Sequence, residues 1–236
     1  MTSSVRDLKV YTTYPHSCSY LKDQEATTLF VDPRQRVDKK LYSNLSVLGF
    51  RRSGNHIYRP HCSHCDACIP ARIPVASFEP KRGQRRTWKR NEDLLVAPTA
   101  DIRDDAAFEL YCRYIRLRHA DGDMYPPDRE QYESFLNNAW DCTLYYRFYD
   151  RHDLVAVAVV DELTDGLSAI YTFFEPIAHK RSLGSHAILW QIEEARRLGL
   201  EYLYLGYWIK GCQKMSYKSE YRPLELYING RWTTLL

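Results

Sequence analysis

A segment near the C-terminus combines aromatic and cationic side chains at close spacing. Residues 203–218, LYLGYWIKGCQKMSYK, contain three tyrosines, one tryptophan and three lysines. Aromatic rings stack on unpaired bases and lysines pair with phosphates, so this composition suits the single-stranded end of a nucleic acid such as the acceptor end of a tRNA. The alternative is a C-terminal core element whose lysines face the solvent, and composition alone favours that alternative.

Three regularly spaced cysteines form a second candidate site. Cys62, Cys65 and Cys68 follow a Cys-x2-Cys-x2-Cys pattern, whose thiolates can converge on one metal ion or an iron–sulfur centre. The candidates for the fourth ligand of a structural zinc site are Cys18, His61 and His64. No second Cys-x2-Cys pair follows, and the thiols could instead pack as small apolar side chains. The odd total of seven cysteines argues against a disulfide framework.

A run of positive charge is the third candidate. Residues 81–90 contain six cations and no acid, although the net charge of the whole chain is only +3. The six cations are Lys81, Arg82, Arg85, Arg86, Lys89 and Arg90. Such a run can follow a phosphate backbone, or it can be the solvated face of a helix. It indicates RNA binding only in combination with the aromatic segment.

The composition is that of a globular protein. The chain has 236 residues, of which 44% are hydrophobic and 14% aromatic, which is enough for a large core. The longest apolar run, residues 154–160, is far shorter than the ~20 residues of a membrane-spanning helix. Residues 1–7 contain no apolar stretch of signal-peptide length. We therefore expect a cytoplasmic protein that does not associate with membranes.

The elements that must position these residues become regular after residue 94. Periodicity predicts the order β-α-α-β-β-β-α-β-α-β-β, with helices at 104–118, after Asp128 and at 183–198. This order resembles the GCN5-related acyltransferase fold, an α+β fold with a mixed, mostly antiparallel sheet and flanking helices. The resemblance implies that strands 168–174 and 201–206 splay apart around the acyl donor. It also implies a smaller cysteine-containing region at 1–93 before an acyltransferase-like domain at 94–236.

The turn before helix 183–198 bears on the identity of the donor. In the acetyltransferases a Gln/Arg-x-x-Gly-x-Gly/Ala loop at this place binds the pyrophosphate of coenzyme A through backbone N–H groups. Here the loop reads RSLGSH, with Gly184 kept and His186 in place of the last small residue. We predict that the imidazole blocks the pyrophosphate, which argues against acetyl-CoA. Alternatively, Gly184 only eases the packing of the helix onto the sheet.

Six segments together resemble the arginyl/leucyl-tRNA–protein transferase family, over nearly the whole chain. They are CSYL at 18–21, YRPHCSHCDAC at 58–68, RIPV at 72–75, HADGDM at 119–124, SLG at 182–184 and YLGYWIKGCQKMSYK at 204–218. The short chain, the single early cysteine and the spaced triplet match the bacterial branch of the family. The resemblance implies transfer of leucine from leucyl-tRNA to the N-terminal Asp or Glu of other proteins, which marks them for N-degron-dependent degradation.

This chemistry predicts a role for each candidate residue. The ester donor is already activated, so no cofactor is required, and the protein must align and desolvate an α-amine whose pKa is about 7.7–8.0. The predicted catalytic residues are Tyr204, Tyr207, Lys214 and Tyr217. The predicted acceptor-binding residues are Arg72 and Arg59, which suit a carboxylate, with Cys18 and Tyr20 as pocket walls. The predicted tRNA-binding residues are the six cations of 81–90 together with Lys210 and Lys218. A zinc ion or iron–sulfur centre would be held by Cys18, Cys62, Cys65 and Cys68.

Three rival functions stay open at this point. An acetyl-CoA-dependent acetyltransferase would bind its donor at the loop 181–186. A non-catalytic RNA-binding protein with a cysteine metal knuckle would leave the acyltransferase strand order unexplained. The same family chemistry could also use arginyl-tRNA instead of leucyl-tRNA.

Overall fold

A computed structural model describes residues 8–136 and 140–235 of the chain. The strands are β1 (Val10–Thr12), β2 (His16–Ser17), β3 (Glu25–Ala26), β4 (Thr28–Val31), β5 (Arg51–Ser53), β6 (His56–Pro60), β7 (Ile69–Pro74), β8 (Leu95–Thr99), β9 (Thr143–Asp150), β10 (Asp153–Glu162), β11 (Gly166–Phe174), β12 (Tyr202–Trp208), β13 (Leu224–Ile228) and β14 (Arg231–Leu235). The α-helices are α1 (Lys39–Val47), α2 (Arg82–Arg90), α3 (Asp105–Arg118), α4 (Arg129–Leu136) and α5 (Leu183–Arg197). Of the 3-10 helices in these two ranges, the longest is Gln213–Glu220.

An eight-stranded sheet forms the centre of the protein. Its strand order is β14-β13-β7-β12-β11-β10-β9-β8. Among its strands only β11 and β12 run parallel, and every other neighbouring pair is antiparallel. This confirms the predicted mixed, mostly antiparallel sheet. Strand β10 is a central strand of this sheet, with residues 155–161 buried on both faces.

Helices cover both faces of this sheet. On one face α5 packs its buried stripe against β10, β11 and β12, and α2 packs against α5. On the other face α3 and α4 enclose a second apolar cluster rich in tyrosine. Capping side chains mark where α3 and α4 begin. The Asp104 carboxylate accepts the N–H of Ala107 at 3.1 Å, and the Asp128 carboxylate accepts that of Gln131 at 2.9 Å. The predicted helices at 104–118, after Asp128 and at 183–198 are confirmed.

The N-terminal part forms a separate four-stranded sheet, β1-β4-β6-β5, which α1 accompanies. The predicted boundary at residue 93 does not separate the two sheets. Strand β7 lies inside the large sheet between β12 and β13, and α2 packs on α5. Both elements owe their positions to partners more than 90 residues away, and no local periodicity marks such pairing.

No helix in residues 8–136 and 140–235 is long and apolar enough to cross a membrane.

Candidate active site

The parallel strands β11 and β12 part in the middle of the sheet. They pair only from Gly166 with Tyr202 to Ser168 with Tyr204. Beyond this point each strand has a bulge in its pairing with its other neighbour. Ile170 of β11 has no partner in the register with β10, and Leu205 of β12 has none in the register with β7. Because such bulges bend a strand and increase its twist, the two strands diverge beyond this point. The sequence-based prediction of a splayed pair is thus matched by the strand register.

A cavity of about 1230 Å³ opens where these strands part. Its floor comes from β11 and β12, and its walls come from the segment between α3 and α4, the beginning of α5 and the 3-10 helix Gln213–Glu220. The N-terminal part closes it with Tyr20 and Tyr58. The expectation that Tyr20 walls a pocket agrees with this placement. A cavity of this size can hold an aminoacyl group together with the end of a peptide.

Arg51 lies at the point where the strands part. Its guanidinium donates to the Ser168 hydroxyl at 2.6 Å and to the Ala169 carbonyl at 2.5 Å, both on β11. On the β12 side it lies against Gly206, where an added Cβ would be 3.3 Å from the Arg51 Nε. Glycine is therefore favoured at 206 by the close approach of Arg51, and also by its φ of +76°, which other residues rarely adopt. Arg51 as a whole residue is 8% exposed, and it lines the cavity.

Lys218 is the second buried cation of the cavity, with 4% of the residue exposed. Its ammonium donates to the Tyr207 carbonyl and lies 3.3 Å from the Met215 sulfur. Burial and, as the second cause, the nearby charge of Arg51 lower the pKa of Lys218 to about 7. Removing this group from water disfavours its charged form, and no carboxylate among the described residues opposes that effect.

The cavity carries excess positive charge. Arg52 is neutralised by Asp161 at 2.7 Å, and Lys214 by Asp121 at 2.9 Å. Within the described chain, three other cations of the lining form no ion pair, namely Arg51, Arg118 and Lys218. The described lining contains a single acidic residue, Asp123. Buried charge without a counterion is costly, so the cavity suits an anionic ligand.

The predicted catalytic residues divide between the cavity and the core. Tyr207, Lys214 and Tyr217 line the cavity, whereas Tyr204 does not. The Tyr204 hydroxyl donates to Asp165 at 2.8 Å and accepts from an arginine, so it belongs to a structural network. The Tyr207 hydroxyl also has structural partners, because it donates to the Gly49 carbonyl at 2.9 Å. Burial raises the pKa of both tyrosines, which argues against either phenol as a base.

The two arginines predicted to bind the acceptor carboxylate lie outside the cavity. Arg72 pairs with Glu225 at 2.7 Å and stacks between the rings of Tyr202 and Trp232. Arg59 donates to a backbone carbonyl at 3.2 Å and lies over Phe50. Alternation along β6 turns Tyr58 toward the cavity and its neighbour Arg59 away from it. Arg51 therefore replaces both as the candidate for binding a carboxylate.

The cysteine cluster lies beside the cavity without lining it. Burial raises the pKa of the Cys68 thiol to about 12, and the thiols of Cys18, Cys62 and Cys65 are near enough to raise it as well. Even so, no three His, Cys, Asp or Glu side chains in the described ranges are arranged to hold a metal ion. All four cysteines are free thiols of intermediate exposure. The metal or iron–sulfur site stays a prediction, which the metal content of the purified protein would test.

The basic run forms the helix α2, with all six of its cations exposed. It packs through Trp88 against His186 of α5. Its last turn adjoins the rim of the cavity, since Arg90 donates to the Lys180 carbonyl and Asn91 to that of Arg181 at 2.8 Å. Lys210 is exposed in the turn after β12. These cations are accessible to RNA, but their role is untested.

The prediction that His186 blocks a pyrophosphate is wrong in its physical reason. The imidazole is 3% exposed and packs between Trp88 and Phe148, inside the protein. Burial lowers its pKa to about 4, so it is neutral near pH 7. Gly184 instead contacts the Phe174 ring, where an added Cβ would be only 2.9 Å away. The packing interpretation of this glycine agrees with that contact.

Several cavity residues were not identified from the sequence. Besides Arg51, they are Tyr58, Tyr114, Arg118, His119 and Tyr171. Two of them carried a local signal, because Tyr58 begins the YRPHCSHCDAC segment and His119 begins the HADGDM segment. The others lie on β5, α3 and β11, which the fold brings together, so no spacing rule connects them.

The fold has a counterpart of known structure. L-PGS from Bacillus licheniformis aligns with a TM-score of 0.50 at 12% sequence identity, over 81% of this chain and 64% of that chain. At this identity the likeness shows the fold alone, which is of the acyltransferase-like class.

The family is defined by sequence. Residues 16–86 match the model of the arginine-tRNA-protein transferase N terminus, and residues 106–228 match that of the C terminus. The chain therefore belongs to the arginine-tRNA-protein transferase family, as its sequence motifs indicated. The aspartate/glutamate leucyltransferase of Pseudomonas fluorescens (strain Pf0-1) is 58% identical over the full length of both chains. That of Pseudomonas paraeruginosa (strain DSM 24068 / PA7) is 55% identical over the same coverage.

Proposed function

We propose that this protein transfers leucine from leucyl-tRNA to the N-terminal Asp or Glu of acceptor proteins. The observation that carries the proposal is the cation-rich cavity at the point where β11 and β12 part. The full-length relatives that bear the name aspartate/glutamate leucyltransferase support it. Cytoplasmic action on tRNA, and marking of acceptors for N-degron-dependent degradation, belong to the same proposal.

The acceptor carboxylate binds to Arg51 in this proposal. The guanidinium already donates to Ser168 and Ala169, so its orientation is fixed before the substrate arrives. It still has free N–H groups, because arginine carries five donors. An arginine held in this way can bind a carboxylate with two hydrogen bonds. Asp and Glu at the acceptor N-terminus would thus be selected by Arg51, a buried guanidinium that has no counterion among the described residues.

Leucine suits this cavity better than arginine does. Its unpaired cations would repel a second guanidinium, and Asp123 is the only acid of the described lining. Near the beginning of α5 the lining is apolar, with Phe174, Leu183, Ile188 and Leu205. An apolar side chain gains free energy by leaving water there, at roughly 25 cal/mol per Å² buried. We therefore assign leucine to the donor.

Paired reactions with the two donors test this assignment. Purified protein receives leucyl-tRNA or arginyl-tRNA at equal concentration, with one peptide that begins with Asp. We expect leucine to be transferred and arginine to be transferred at least ~10-fold more slowly. Equal rates would show that the charge of the cavity does not select the donor. A higher rate with arginine would contradict the proposal.

The helix α2 is proposed to hold the tRNA backbone beside the cavity rim. Arg82, Arg86 and Lys89 recur at helical spacing and are exposed. The slope of log K against log salt is negative, and each phosphate contact that is lost reduces its steepness by about 0.9. We expect the triple change of these residues to Gln to make the slope for leucyl-tRNA binding less steep by about 2–3. The same change at three exposed cations outside the helix, Lys22, Arg36 and Lys40, should leave the slope unaltered.

A further inference from the structure

Lys218 has a position that binding alone does not explain. Its ammonium lies inside the cavity and is bonded to the carbonyl of Tyr207, the residue that follows Gly206 at the parting of the strands. The side chain is almost completely buried, whereas a lysine that binds tRNA phosphates would extend into solvent. Its remaining contact is the Met215 sulfur, a weak acceptor.

Among the described residues, the charged or titratable side chains that act on the pKa of Lys218 belong to one arginine and two cysteines. Arg51 faces it from β5, Cys68 from the loop before β7, and Cys212 from the turn after β12. The ring of Tyr217 lies 5.8 Å away, on the same 3-10 helix. No carboxylate appears among them. Burial and the positive charge of Arg51 therefore both favour the neutral amine, whose lone pair can accept a proton.

We propose that Lys218 is the base that removes a proton from the α-ammonium of the acceptor. This inference rests on the proposed function and adds the proton acceptor that the reaction needs. The acceptor carboxylate at Arg51 would bring the α-ammonium toward Lys218, because both cations line the same cavity. Such a base contributes about 10²–10⁴-fold to the rate of a reaction.

The step balances in atoms and charge. The Lys218 amine takes one proton from the α-ammonium, and the freed amine attacks the carbonyl carbon of the leucyl ester. The new C–N bond forms, and the C–O bond to the terminal ribose breaks. The Lys218 ammonium gives this proton to the ribose oxygen, which leaves as a hydroxyl. The attacking nitrogen loses its second proton to water, and nothing is oxidised or reduced.

The shape of the pH profile tests this role. Transfer through Lys218 needs a neutral lysine and an acceptor that arrives as the ammonium, because the proton that Lys218 gives to the ribose oxygen comes from that ammonium. The kcat/KM of the wild type should therefore rise through the pKa of Lys218, about 7, and fall through that of the acceptor amine, about 7.7–8.0. In Lys218→Met the neutral amine must attack unaided. That profile should only rise, with its midpoint at the pKa of the acceptor.

The matched variants separate proton transfer from charge and from packing. Lys218→Met removes the charge and keeps the volume, whereas Lys218→Arg keeps a charge that cannot be lost near neutral pH. We expect kcat to fall about 10²–10⁴-fold in both, with the KM for the peptide within about threefold of wild type. Lys40→Met, at an exposed lysine outside the cavity, is the control. Thermal unfolding and leucyl-tRNA binding check that the variants fold.

Each outcome decides the role of Lys218. A Lys218→Arg variant within about threefold of the wild-type kcat overturns the proposal, and so does a falling limb that persists in Lys218→Met. If neither variant folds, the wild-type profile decides, since a profile that only rises excludes the base. If the wild type transfers no leucine at all, the proposed function fails instead of this inference.

Discussion

Replacing Arg51 by Met should lower kcat/KM for a peptide with N-terminal Asp by about 10²–10³-fold. Loss of one partner of a buried, hydrogen-bonded charge pair costs about 2–5 kcal/mol, and each 1.4 kcal/mol is a factor of ten. The effect should be specific to the carboxylate. For the isosteric peptide with N-terminal Asn we expect a much smaller change, so the preference for Asp over Asn should nearly disappear. Kinetics with the two peptides and leucyl-tRNA measure it.

The control for the Arg51 variant is the same substitution at another arginine of the N-terminal part. Arg36 is exposed and lies outside the cavity, so Arg36→Met should leave the kinetics with both peptides unchanged. Equal losses with the Asp and Asn peptides in Arg51→Met would mean that the guanidinium supports the sheet and does not read the acceptor. An unaltered preference for Asp would contradict the assignment outright.

The largest effect on stability should come from the ion pair between Arg52 and Asp161. Both side chains are fully buried, and Arg52 donates twice to the carboxylate at 2.7 Å. Tyr42 and Thr143 donate to the same carboxylate at 2.9 and 2.7 Å. This network joins β5 and α1 to β9 and β10, and so attaches the small sheet to the large one.

Asp161→Asn should lower the free energy of unfolding by about 3–5 kcal/mol, because it leaves a buried guanidinium without a counterion. The double variant Arg52→Met/Asp161→Leu should lose less than the single variant, since apolar groups of similar volume can replace a buried pair at little net cost. Urea unfolding measures all three proteins. Greater loss in the double variant would show that the pair is net stabilising.

An exposed ion pair gives the matched comparison. Arg129 contacts Asp105 at 2.6 Å, but the Asp105 side chain is 84% exposed. Solvent screens such a pair, which typically contributes about 0–1 kcal/mol. Asp105→Asn should therefore change the free energy of unfolding far less than Asp161→Asn does. Comparable losses would mean that burial does not set the cost at residue 161.

The sequence predicted those elements whose signals are local. From residue 94 onward the order of helices and strands is confirmed, because each has its own periodicity and caps. Strand β7 was identified only through the family segment RIPV, and α2 only as a charged run. Their places depend on pairing with β12 and β13 and on packing against α5, which are contacts between distant parts of the chain.

The candidate site shows the same division. The segment 203–218 was identified by its composition, and four of its predicted residues line the cavity, namely Tyr207, Lys214, Tyr217 and Lys218. The arginine that binds the acceptor carboxylate was predicted wrongly, because the register of a strand decides to which side of the sheet each of its side chains points. Arg51 reaches the cavity because β5 pairs with β6 and because two bulges part β11 from β12. None of these pairings can be deduced from the spacing of residues along the chain.

The most direct measurement is transfer of labelled leucine from leucyl-tRNA to peptides that differ only in their first residue. Peptides that begin with Asp or Glu should be labelled, and those that begin with Asn, Gln or Ala should be labelled at least ~10-fold more slowly. That pattern would support both the reaction and a carboxylate-binding cavity. Equal labelling of all five peptides would contradict the role of Arg51. No labelling of any peptide, by protein that still binds leucyl-tRNA, would contradict the proposed function itself.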